Sequence, residues 1–567
     1  MISSLAFNIL IAPADLWIVV VYIAGVVALG FYAGIHQARN KTEGSNYFLA
    51  GSTLTWPVIG LAMFAANIST VHLVSLAESA YKFGLVYGNF EWMAGFTLIL
   101  LSLFFAPLYL RSRVPTLPDY LERRYNRHCR DVLAFFSLVS AIVIHIGVAL
   151  YTASWVLCGI LGIDPHAALG GTNALFFFII VLGLITGVYT TFGGLLAVVW
   201  TESVQTVILL AGAVAITVAG YVAIGGWSEL AHTLATQPHP AAGTAADIPA
   251  STERFLHMAR HAGDPGGLPW YSILLGYPVL GIWYWCCDQT IVQRVLAAKD
   301  ERNARLGPLF CSFIKILPVF LFVLPGVLCV ALVQKGYFHG EAPKTAADTY
   351  TFLVTHMLPV GLKGLVIAAM LSAAMQTCSA ALNSSATLFA YDIVKRWWPA
   401  TPDHKLVVIG KITTVVATIL AIALSPIFGH YTTIIEGINK LISYIAPPIT
   451  AVFLAGVFWK KASGKAAFIT LITGASLGAL VFYLDWTKLY QGDFMLTAFG
   501  LLVICLSILI LGSFVFPEPL KEEARLLVWE SWREPLRNPL QGNFLTDYRF
   551  LSALVLITFA VLYYIFR

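Results

Sequence analysis

The sequence predicts an all-α integral membrane protein with about fourteen transmembrane helices. Of its 567 residues, 59% are hydrophobic and only 11% are charged, and the mean hydropathy is +0.80. Soluble globular proteins carry roughly 25% charged residues, so water is not the main solvent of this chain. Apolar runs that match the length of a hydrocarbon core recur along the chain, whereas ten-residue alternating strands are absent. These observations favour a helical bundle in a bilayer.

The fourteen predicted spans are counted with the length that a hydrocarbon core requires, about 20 residues. Three connections between them are long, and the second, seventh and eleventh spans are irregular. The spans lie near 16–36, 54–80, 88–110, 131–161, 173–190, 194–222, 270–296, 306–334, 359–392, 407–429, 432–458, 466–484, 494–516 and 548–566.

The basic residues predict the orientation in the membrane. Lysine and arginine accumulate in the cytoplasmic connections of membrane proteins. If the first span runs from outside to inside, twenty-four of the 34 lysines and arginines lie on the inner side and eight on the outer side. The sequence therefore predicts a multi-pass protein of the cell membrane (plasma or inner) with both termini on the outer side.

Residues 60–94 carry the polar groups that the rest of the chain is expected to surround. Polar side chains in hydrocarbon are costly unless they are paired or line a wet cavity, so they indicate a functional site. Gly60, Ala65 and Ala66 would let the helix unwind there and offer its carbonyl groups to a cation. The alternative is close packing of helices through small polar residues. The polar residues are Asn67, Ser69, Thr70, His72, Ser75, Glu78 and Glu91.

A second interruption is expected in the seventh span. Gly276, Pro278 and Gly281 lie near its middle, five spans after the first interruption. Interrupted helices at corresponding positions are typical of inverted-repeat transporters that bind their cargo near the midplane of the bilayer. Spans two to six and seven to eleven would form the two halves of such a five-plus-five repeat.

Three further side chains are candidates for the site. Tyr284 and Trp285 follow the second interruption, and aromatic faces stack on the CH surface of a sugar ring. Lys315 lies in an apolar run, where a lysine costs roughly 2.5–3.5 kcal/mol on insertion scales and needs an acid or a cavity. Glu91 is the natural partner. The alternatives are interfacial aromatic residues and a lysine that extends towards the inner surface.

The ninth span carries a polar stripe at helical spacing, and the sixth span carries one acid, Glu202, near its inner end. The stripe would allow close helix packing or would supply oxygen ligands to a hard cation, and the residues leave both interpretations open. Its members are Ser372, Gln376, Thr377, Ser379, Asn383, Ser384 and Thr387.

Other classes of function have less support. The eight cysteines match neither a zinc-site spacing nor a disulfide framework. A membrane enzyme that used His72 and Glu91 as an acid–base pair would lack a nucleophile, a metal cluster or a phosphate loop, so an enzyme is not predicted. A sensor that binds a ligand without accumulating it remains an alternative. No nucleic-acid partner is predicted, and the oligomeric state is left open.

Several stretches together resemble the sodium:solute symporter family, and its sodium–glucose cotransporter branch in particular. The likeness covers nearly the whole chain. These stretches are FAANIST, FEWMAG, TLPDYLERRY, GGLLAVVWTESVQT, WYWCCDQTIVQRVLAAK, LPVGLKGLVIAAMLSA, ALNSSATLFAYDI and APPITAVFLAGVFWKK. The resemblance implies a five-plus-five inverted-repeat (LeuT-like) core with two broken helices. It implies a single transport domain, 1–567, with a leading helix at 16–36, repeats at 54–222 and 270–458, and additional helices at 459–567.

The resemblance also implies a site for co-transported sodium. The ion would be bound by the backbone carbonyl groups of Ala65, Ile68 and Ala373 and by the side chains of Gln376 and Thr377. Gln376 departs from the serine that is usual in the sugar branch. Glu202 occupies a position on the sodium exit path where the family has an aspartate.

By the same resemblance, the substrate site is made of residues that can hydrogen-bond to a sugar. They are Asn67, His72, Glu91, Tyr284, Trp285, Lys315 and Asn439. Tyr284 would be the inner gate, and Leu76, Phe90 and Ile435 would form the outer lid. Two positions differ from the family, since Gly281 replaces a polar partner and Asn439 replaces a glutamine.

The predicted function is sodium-coupled import of a sugar, a hexose such as glucose or galactose, by alternating access. The predicted partners are a small-molecule sugar, sodium and the lipid bilayer. A missing hydrogen bond to a sugar hydroxyl strongly alters discrimination. A symporter of the same fold for a polyol, an inositol or another small organic solute is therefore the alternative.

Overall fold

The computed structural model describes residues 12–40, 44–241, 249–264, 268–430, 434–490, 492–537 and 543–567. Helix dominates this part of the chain, and each of the fourteen predicted spans coincides with helical structure. The segments are α1 (Pro13–Asn40), α2a (Trp56–Asn67) and α2b (Thr70–Phe83), α3 (Asn89–Leu100, Leu101–Phe105 and Ala106–Ser112), α4 (Arg127–Leu161), α5 (Ala174–Leu195), α6 (Val198–Ile224), α7a (Trp270–Ile282, extended by Trp283–Cys287) and α7b (Gln289–Leu296), α8 (Glu301–Gln334), α9 (Leu362–Trp397), α10 (Asp403–Leu424), α11 (Ile434–Phe458), α12 (Gly464–Trp486), α13 (Phe494–Val515) and α14 (Tyr548–Ile565).

Short elements occupy the connections. The short helices are Gly44–Leu49, Leu117–Arg124, Trp227–Thr236, Thr349–Met357, Glu522–Arg525 and Glu534–Arg537. Single 3₁₀ turns lie at Ala50–Ser52, Gly84–Gly88, Ala346–Asp348, Ser425–His430 and Phe544–Thr546. In the part of the chain that the structure describes, the one sheet is an antiparallel hairpin of Ala168–Leu169 and Thr172–Asn173.

The break in α2 lies directly after Ala65, Ala66 and Asn67 and well beyond Gly60. The backbone is extended at Ile68 (φ −79°, ψ 107°) and Ser69 (φ −110°, ψ 173°). The expectation that Gly60 marks the break is wrong. A Cβ on Gly60 would lie 2.8 Å from the carbonyl oxygen of Gly307, so this glycine allows close packing against α8. The small size of Gly60 therefore lets α2a approach α8 closely and does not unwind the helix.

The break in α7 is also displaced from its predicted position. Gly276, Pro278 and Gly281 all lie inside α7a, and the chain becomes extended only at Asp288 (φ −85°, ψ 125°). A Cβ on Gly276 would lie 2.4 Å from the Met495 carbonyl oxygen, so this glycine too permits close contact. The Asp288 side chain accepts from the Thr290 N–H at 2.8 Å and caps α7b. A capping carboxylate therefore ends the interruption that glycine and proline were expected to cause.

Twelve helices among the described residues are individually long and apolar enough to span a membrane. The predicted spans α2 and α7 are not among these twelve as separate helices. Each is divided by its break, and α2b is counted together with α3 as Thr70–Ser112. α5 and α6 form one rod that bends at Gly194, where φ is +57°, a value that glycine adopts without strain. The spans predicted from hydropathy and the two breaks thus agree with the fold, although the breaks lie elsewhere within their spans.

α9 is the central helix of the bundle. In its most apolar window 94% of the residues are buried, against 28% in α12 and in α13 and 22% in α1 and in α14. It packs against α1, α2, α4, α7b, α10 and the α5–α6 rod. The polar stripe predicted on this helix therefore faces protein and not lipid, as expected for hydroxyl groups at membrane depth.

Candidate functional site

Lys315 lies at the centre of the candidate site. Its side chain is 1% exposed, and its Nζ lies 2.5 Å from Glu91 Oε2. Nζ also donates to Asn67 Oδ1. The predicted pairing with Glu91 is confirmed, and the alternative of a lysine that extends towards the inner surface is wrong.

The helix ends explain why these charges meet. Glu91 lies in the first turn of α3, and Lys315 caps the C-terminal end of Glu301–Ile314, the first part of α8. An acid is favoured at the N-terminus of a helix and a base at the C-terminus, because the helix dipole places a partial charge of opposite sign at each end. Asn67 is the last residue of α2a, at the break. Three helix ends therefore place a carboxylate, an ammonium group and an amide together.

Aromatic rings surround the ammonium group. Lys315 Nζ lies 5.3 Å from the ring centroid of Trp285 and 5.6 Å from that of Phe64. The rings of Tyr284 and Trp285 meet edge to face at 5.2 Å. A cation within about 6 Å of an aromatic face is attracted by the ring quadrupole. Trp285 is thereby held against the ion pair.

His72 is oriented by the break itself. Its Nδ1 accepts from the Ser69 backbone N–H at 3.3 Å and lies 3.2 Å from Ser69 Oγ. This reciprocal contact is a capping box at the start of α2b. Because Nδ1 is an acceptor, the neutral ring carries its proton on Nε2. The break therefore leaves His72 with one N–H donor for a further partner.

A cavity of about 170 Å³ adjoins these groups. Its lining includes nine of the residues predicted for substrate binding and gating, which are Asn67, His72, Leu76, Phe90, Glu91, Tyr284, Trp285, Lys315 and Asn439. Ile435 lies in the first turn of α11, but its side chain is outside the described part of the chain. The structure thus gathers the predicted substrate residues around one space, between α2, α3, α4, α7, α8 and α11.

Two cavity residues with polar side-chain groups, His145 and Tyr277, were not predicted. His145, in the middle of α4, has Nε2 3.4 Å from Asp288 Oδ2 and its ring 5.9 Å from that of Tyr284. Tyr277 donates from its hydroxyl to the Phe90 carbonyl at 2.9 Å. His145 could have been recognised in the sequence, because it is a histidine within the apolar run AIVIHIGVAL. Nothing in the sequence distinguishes Tyr277 from an ordinary apolar aromatic residue.

The predicted sodium ligands lie where α9 passes the break of α2. Thr377 Oγ1 is 3.3 Å from the Ala373 carbonyl oxygen and 3.5 Å from that of Ala66. The Ser69 N–H bonds to His72, so it does not donate to the Ala65 carbonyl as it would in a continuous helix. Ile68, next to it, has extended backbone. The side chain of Thr377 therefore faces the end of α2a, where it contacts the carbonyl of Ala66, the neighbour of the predicted ligand Ala65.

Gln376 is buried beside this position. Its side chain is fully shielded from solvent, and its Oε1 and Nε2 have no hydrogen-bond partner among the described residues. A buried amide without a partner is costly. A cation coordinated by Oε1 would satisfy this oxygen. The residue therefore fits the predicted ligand set, although an amide replaces a hydroxyl group.

Glu202 is not a free acid at the inner mouth. Arg294 Nη2 donates to its Oε1 at 2.8 Å, and both side chains are fully buried. Arg294 belongs to α7b and also donates to the Thr290 carbonyl oxygen. Oε2 of Glu202 has no partner among the described residues. Glu202 and Arg294 thus form a buried ion pair that joins α6 to α7b.

Comparison with known proteins identifies the group to which this chain belongs. The profile of the sodium:solute symporter family matches residues 47–474. The chain belongs to the sodium:solute symporter family. It is therefore a sodium-coupled solute symporter in a membrane and not an enzyme, and sodium is a co-transported substrate.

Three relatives of this symporter illustrate the range of solutes in the family. The sodium/mannose cotransporter SLC5A10 of Bos taurus is 31% identical over 546 residues, covering 91% of this chain and 89% of the relative. The sodium/glucose cotransporter 2 of Rattus norvegicus is 34% identical, covering 82% and 71%. The sodium/myo-inositol cotransporter 2 of Mus musculus is 33% identical, covering 84% and 70%.

Solved structures support the architecture. A Na⁺-coupled sialic acid symporter in a substrate-bound outward-open state has a TM-score of 0.75 at 20% identity, covering 90% of this chain and 99% of that one. The nucleobase-cation-symport-1 transporter MHP1 has a TM-score of 0.52 at 14% identity, covering 85% and 97%. These likenesses concern the fold alone. The symporter has the LeuT-like inverted-repeat core that its two broken helices indicated.

Proposed function

We propose that this symporter imports a neutral sugar, a hexose such as glucose or galactose, together with sodium. The observation that carries the proposal is the cluster of Lys315, Glu91 and Asn67 on the wall of a cavity at the break of α2. Ammonium, carboxylate and amide groups within hydrogen-bond distance of one another supply both donors and acceptors. Vicinal hydroxyl groups match such a set, because each hydroxyl donates once and accepts as well.

The charge balance favours a solute without net charge. Lys315 and Glu91 neutralise each other, and the amide of Asn67 adds no charge. A carboxylate or amine substrate would leave one member of the pair facing a like charge. Burying neutral hydroxyl groups costs less free energy than burying a charge, since the hydroxyl groups exchange hydrogen bonds to water for hydrogen bonds to the pair. His72 Nε2–H and the amide of Asn439 would provide the remaining hydrogen bonds.

The aromatic residues of α7 would hold the ring of the sugar. Tyr284 and Trp285 border the cavity in the stretch of α7a that precedes the break, so a shift at the break would move both. In this role Tyr284 stacks on the apolar face of the solute and closes the inner side. Leu76 and Phe90, with Ile435, would cover the outer side.

Sodium would act through the break of α2. In our proposal the ion is bound by the carbonyl groups of Ala65, Ile68 and Ala373 and by the side chains of Gln376 and Thr377. The same break orients Asn67 and His72 towards the solute. Ion and solute would therefore stabilise one backbone arrangement, which is a coupling free energy shared by both ligands. Glu202 would meet the departing ion after its pair with Arg294 opens.

The driving force suffices for concentrative uptake. One cation that crosses about 100 mV gains about 2.3 kcal/mol, and a roughly tenfold gradient adds about 1.4 kcal/mol. Their sum of about 3.7 kcal/mol sets an accumulation limit of roughly a few hundredfold per sodium ion. One sodium per sugar is the proposed stoichiometry.

A polyol or an inositol is the second candidate, and Gly281 is the observation that favours it. This residue adds no polar group to the cavity wall, and a Cβ there would lie 2.7 Å from the Tyr277 ring and 2.8 Å from Thr97. One hydrogen-bond partner is thus missing relative to the family pattern. A ring with a different arrangement of hydroxyl groups tolerates that loss.

Uptake by reconstituted protein tests the proposal. Proteoliposomes with an inward sodium gradient are given labelled glucose, galactose, mannose and myo-inositol, each at equal concentration and with a matched potassium gradient as control. Sodium-dependent accumulation of a hexose above myo-inositol supports the proposal. Accumulation of myo-inositol alone selects the second candidate, and sodium-dependent uptake of none of the four contradicts both.

A further inference from the structure

A second cavity, of about 520 Å³, lies away from the substrate site, on the face that the basic residues predict to be cytoplasmic. It is enclosed by the inner end of α3, the turn between α7b and α8, and the segment before α2a. We call it the inner basic cavity and define it by Ser52, Arg111, Arg113, Lys299 and Glu301. A backbone bridge between Leu54 and Ala298 joins two of its walls.

The charges of this cavity do not balance. Glu301 Oε1 accepts from Arg305 at 3.0 and 2.8 Å, so its charge is largely neutralised from outside the cavity. Its Oε2 lies 3.5 Å from Arg111 Nε. In the described part of the chain, neither Arg113 nor Lys299 forms an ion pair. Two exposed cations therefore face a cavity without an acid to match them.

Arg111 is held in place by a separate contact. Its guanidinium carbon lies 5.0 Å from the centroid of the Trp529 ring. Trp529 is itself fixed, since its Nε1 donates to the Phe104 carbonyl oxygen at 2.9 Å. A guanidinium group on an aromatic face keeps its donors free for an anion.

The backbone around the cavity adopts conformations that L-residues rarely occupy. Arg113 has φ +49°, and Ala50 and Ser52 have φ +50° and +53°. Non-glycine residues with positive φ are uncommon, and strained backbone of this kind clusters at ligand-binding sites. Two separate chain segments carry the strain, and both border the same cavity. This coincidence is independent of the charges.

We propose that the inner basic cavity binds a phosphate-bearing anion. A phosphate monoester carries about −1.5 to −2 charge at neutral pH and offers three acceptor oxygens. Arg113 would bind two of them with its planar guanidinium fork, and Lys299 would add a point charge. The bound anion would connect the end of α3 to the turn after α7b, which continues from the broken helix of the substrate site.

The phosphate has two sources with the same chemistry, the headgroup of an anionic lipid and a free phosphate in solution. The position near the inner ends of the helices and the apolar walls of Leu49, Leu110, Val114 and Leu296 suit a lipid with its chains at the rim. The solvent-exposed cations suit a soluble anion equally well. The test therefore offers both sources separately.

The experiment uses the full-length protein in nanodiscs. Its thermal unfolding midpoint is titrated with phosphatidic acid mixed into phosphatidylcholine, and in pure phosphatidylcholine with millimolar inorganic phosphate at constant ionic strength. A ligand that binds the folded state raises the midpoint, and the titration gives an apparent dissociation constant. The variant R113Q/K299Q is compared with K461Q/R525Q, which removes two exposed cations elsewhere on the same predicted face.

We expect the wild type and the control pair to respond equally. The R113Q/K299Q variant should bind the probe about tenfold more weakly or worse, since each cation near an anionic headgroup adds to the attraction. If that variant does not fold, Lys299→Glu alone should abolish the response, and Arg113→Lys, which keeps the charge but loses the guanidinium fork, should weaken it less than Lys299→Glu does. A response to phosphatidic acid only assigns a lipid, and one to inorganic phosphate assigns a soluble anion. No response to either probe, or equal responses in wild type and R113Q/K299Q, overturns the proposal.

Discussion

Two buried ion pairs flank the broken helices of this symporter, and their surroundings differ. Lys315 and Glu91 lie beside the break of α2, share Asn67 as a third partner and border a cavity. Arg294 and Glu202 lie behind the break of α7 and are shielded from solvent on all sides. Because the first pair borders open space, it suits a solute, whereas the second pair fastens α7b to α6. The comparison shows that pairing alone does not identify a binding site.

The largest expected effect comes from breaking the pair at the cavity. Lys315→Met leaves a buried carboxylate without its cation, which costs about 3–5 kcal/mol of folding free energy. We expect sodium-driven uptake to be lost. Glu91→Gln combined with Lys315→Met should restore the thermal unfolding midpoint without restoring uptake. Lys335→Met, which breaks an exposed pair with Glu229, is the control and should change neither. Normal uptake by the double variant would exclude the pair from the substrate site.

The corresponding single and double variants of Arg294 and Glu202 should differ from those of Lys315 and Glu91 in one respect: the double variant should recover its affinity for the solute as well as its stability. Arg294→Met alone should destabilise the protein by a similar amount, about 3–5 kcal/mol. Adding Glu202→Gln should restore both the unfolding midpoint and the apparent affinity for the solute, since this pair does not border the cavity. If Glu202 lies on the sodium exit path, the turnover rate of the double variant falls while that affinity is retained. A weakened solute affinity in the double variant would remove the contrast between the two pairs.

Thr377→Ala should affect the ion before it affects the solute. A lost hydrogen bond to a charged group costs roughly 1.5–3 kcal/mol, so half-maximal sodium activation of uptake should require about tenfold more sodium, or more. Ser385→Ala on the same helix removes a hydroxyl that only bonds to the Ala381 carbonyl, and it serves as the matched control. An unchanged sodium dependence in Thr377→Ala would place the cation elsewhere.

Tyr284 tests the aromatic side of the cavity. Phenylalanine keeps the stacking face, so Tyr284→Phe should retain uptake within about threefold, whereas Tyr284→Ala should lose roughly tenfold or more. Initial rates at several solute concentrations separate a change in KM from a change in kcat. Equal activity of the two variants would contradict the proposed gate.

The smallest expected effect concerns pH at the outer end of α2b. His239 accepts from the Ala241 N–H at Nδ1 and contacts the Tyr81 carbonyl at 2.7 Å through Nε2, so the neutral ring satisfies both partners. Burial lowers the pKa of His239 below its ordinary value. The folded state therefore binds fewer protons than the unfolded state, and this stabilisation is present at neutral pH and is lost as pH falls below about 6.5.

His239→Gln should flatten that dependence, because an amide offers a donor and an acceptor without titrating. The unfolding midpoint measured at mildly acidic and at neutral pH checks this expectation. The wild type should lose more stability on acidification than the variant. Identical pH profiles would show that the contact of His239 with α2b does not depend on its protonation.

The sequence predicted much of the candidate site but not its geometry. Lys315 was recognisable because a charge at membrane depth needs a partner, and Glu91 was the natural candidate. His145 and Tyr277 were harder to predict, since their contacts with Asp288 and Phe90 depend on how α4 and α7a pack. The pairing of Glu202 with Arg294 likewise joins residues that are 92 positions apart.

By itself, the sequence determined the membrane class, the positions of the spans and the presence of two broken helices. It did so because hydrophobic length and polar interruptions are local properties of the chain. Only the tertiary structure decided where the helices break. Gly60 and Gly276 allow close contact with α8 and α13, whereas the extended residues are Ile68, Ser69 and Asp288. Whether a glycine loosens a helix or permits another backbone to approach depends on its neighbours in space, and a linear sequence does not contain that information.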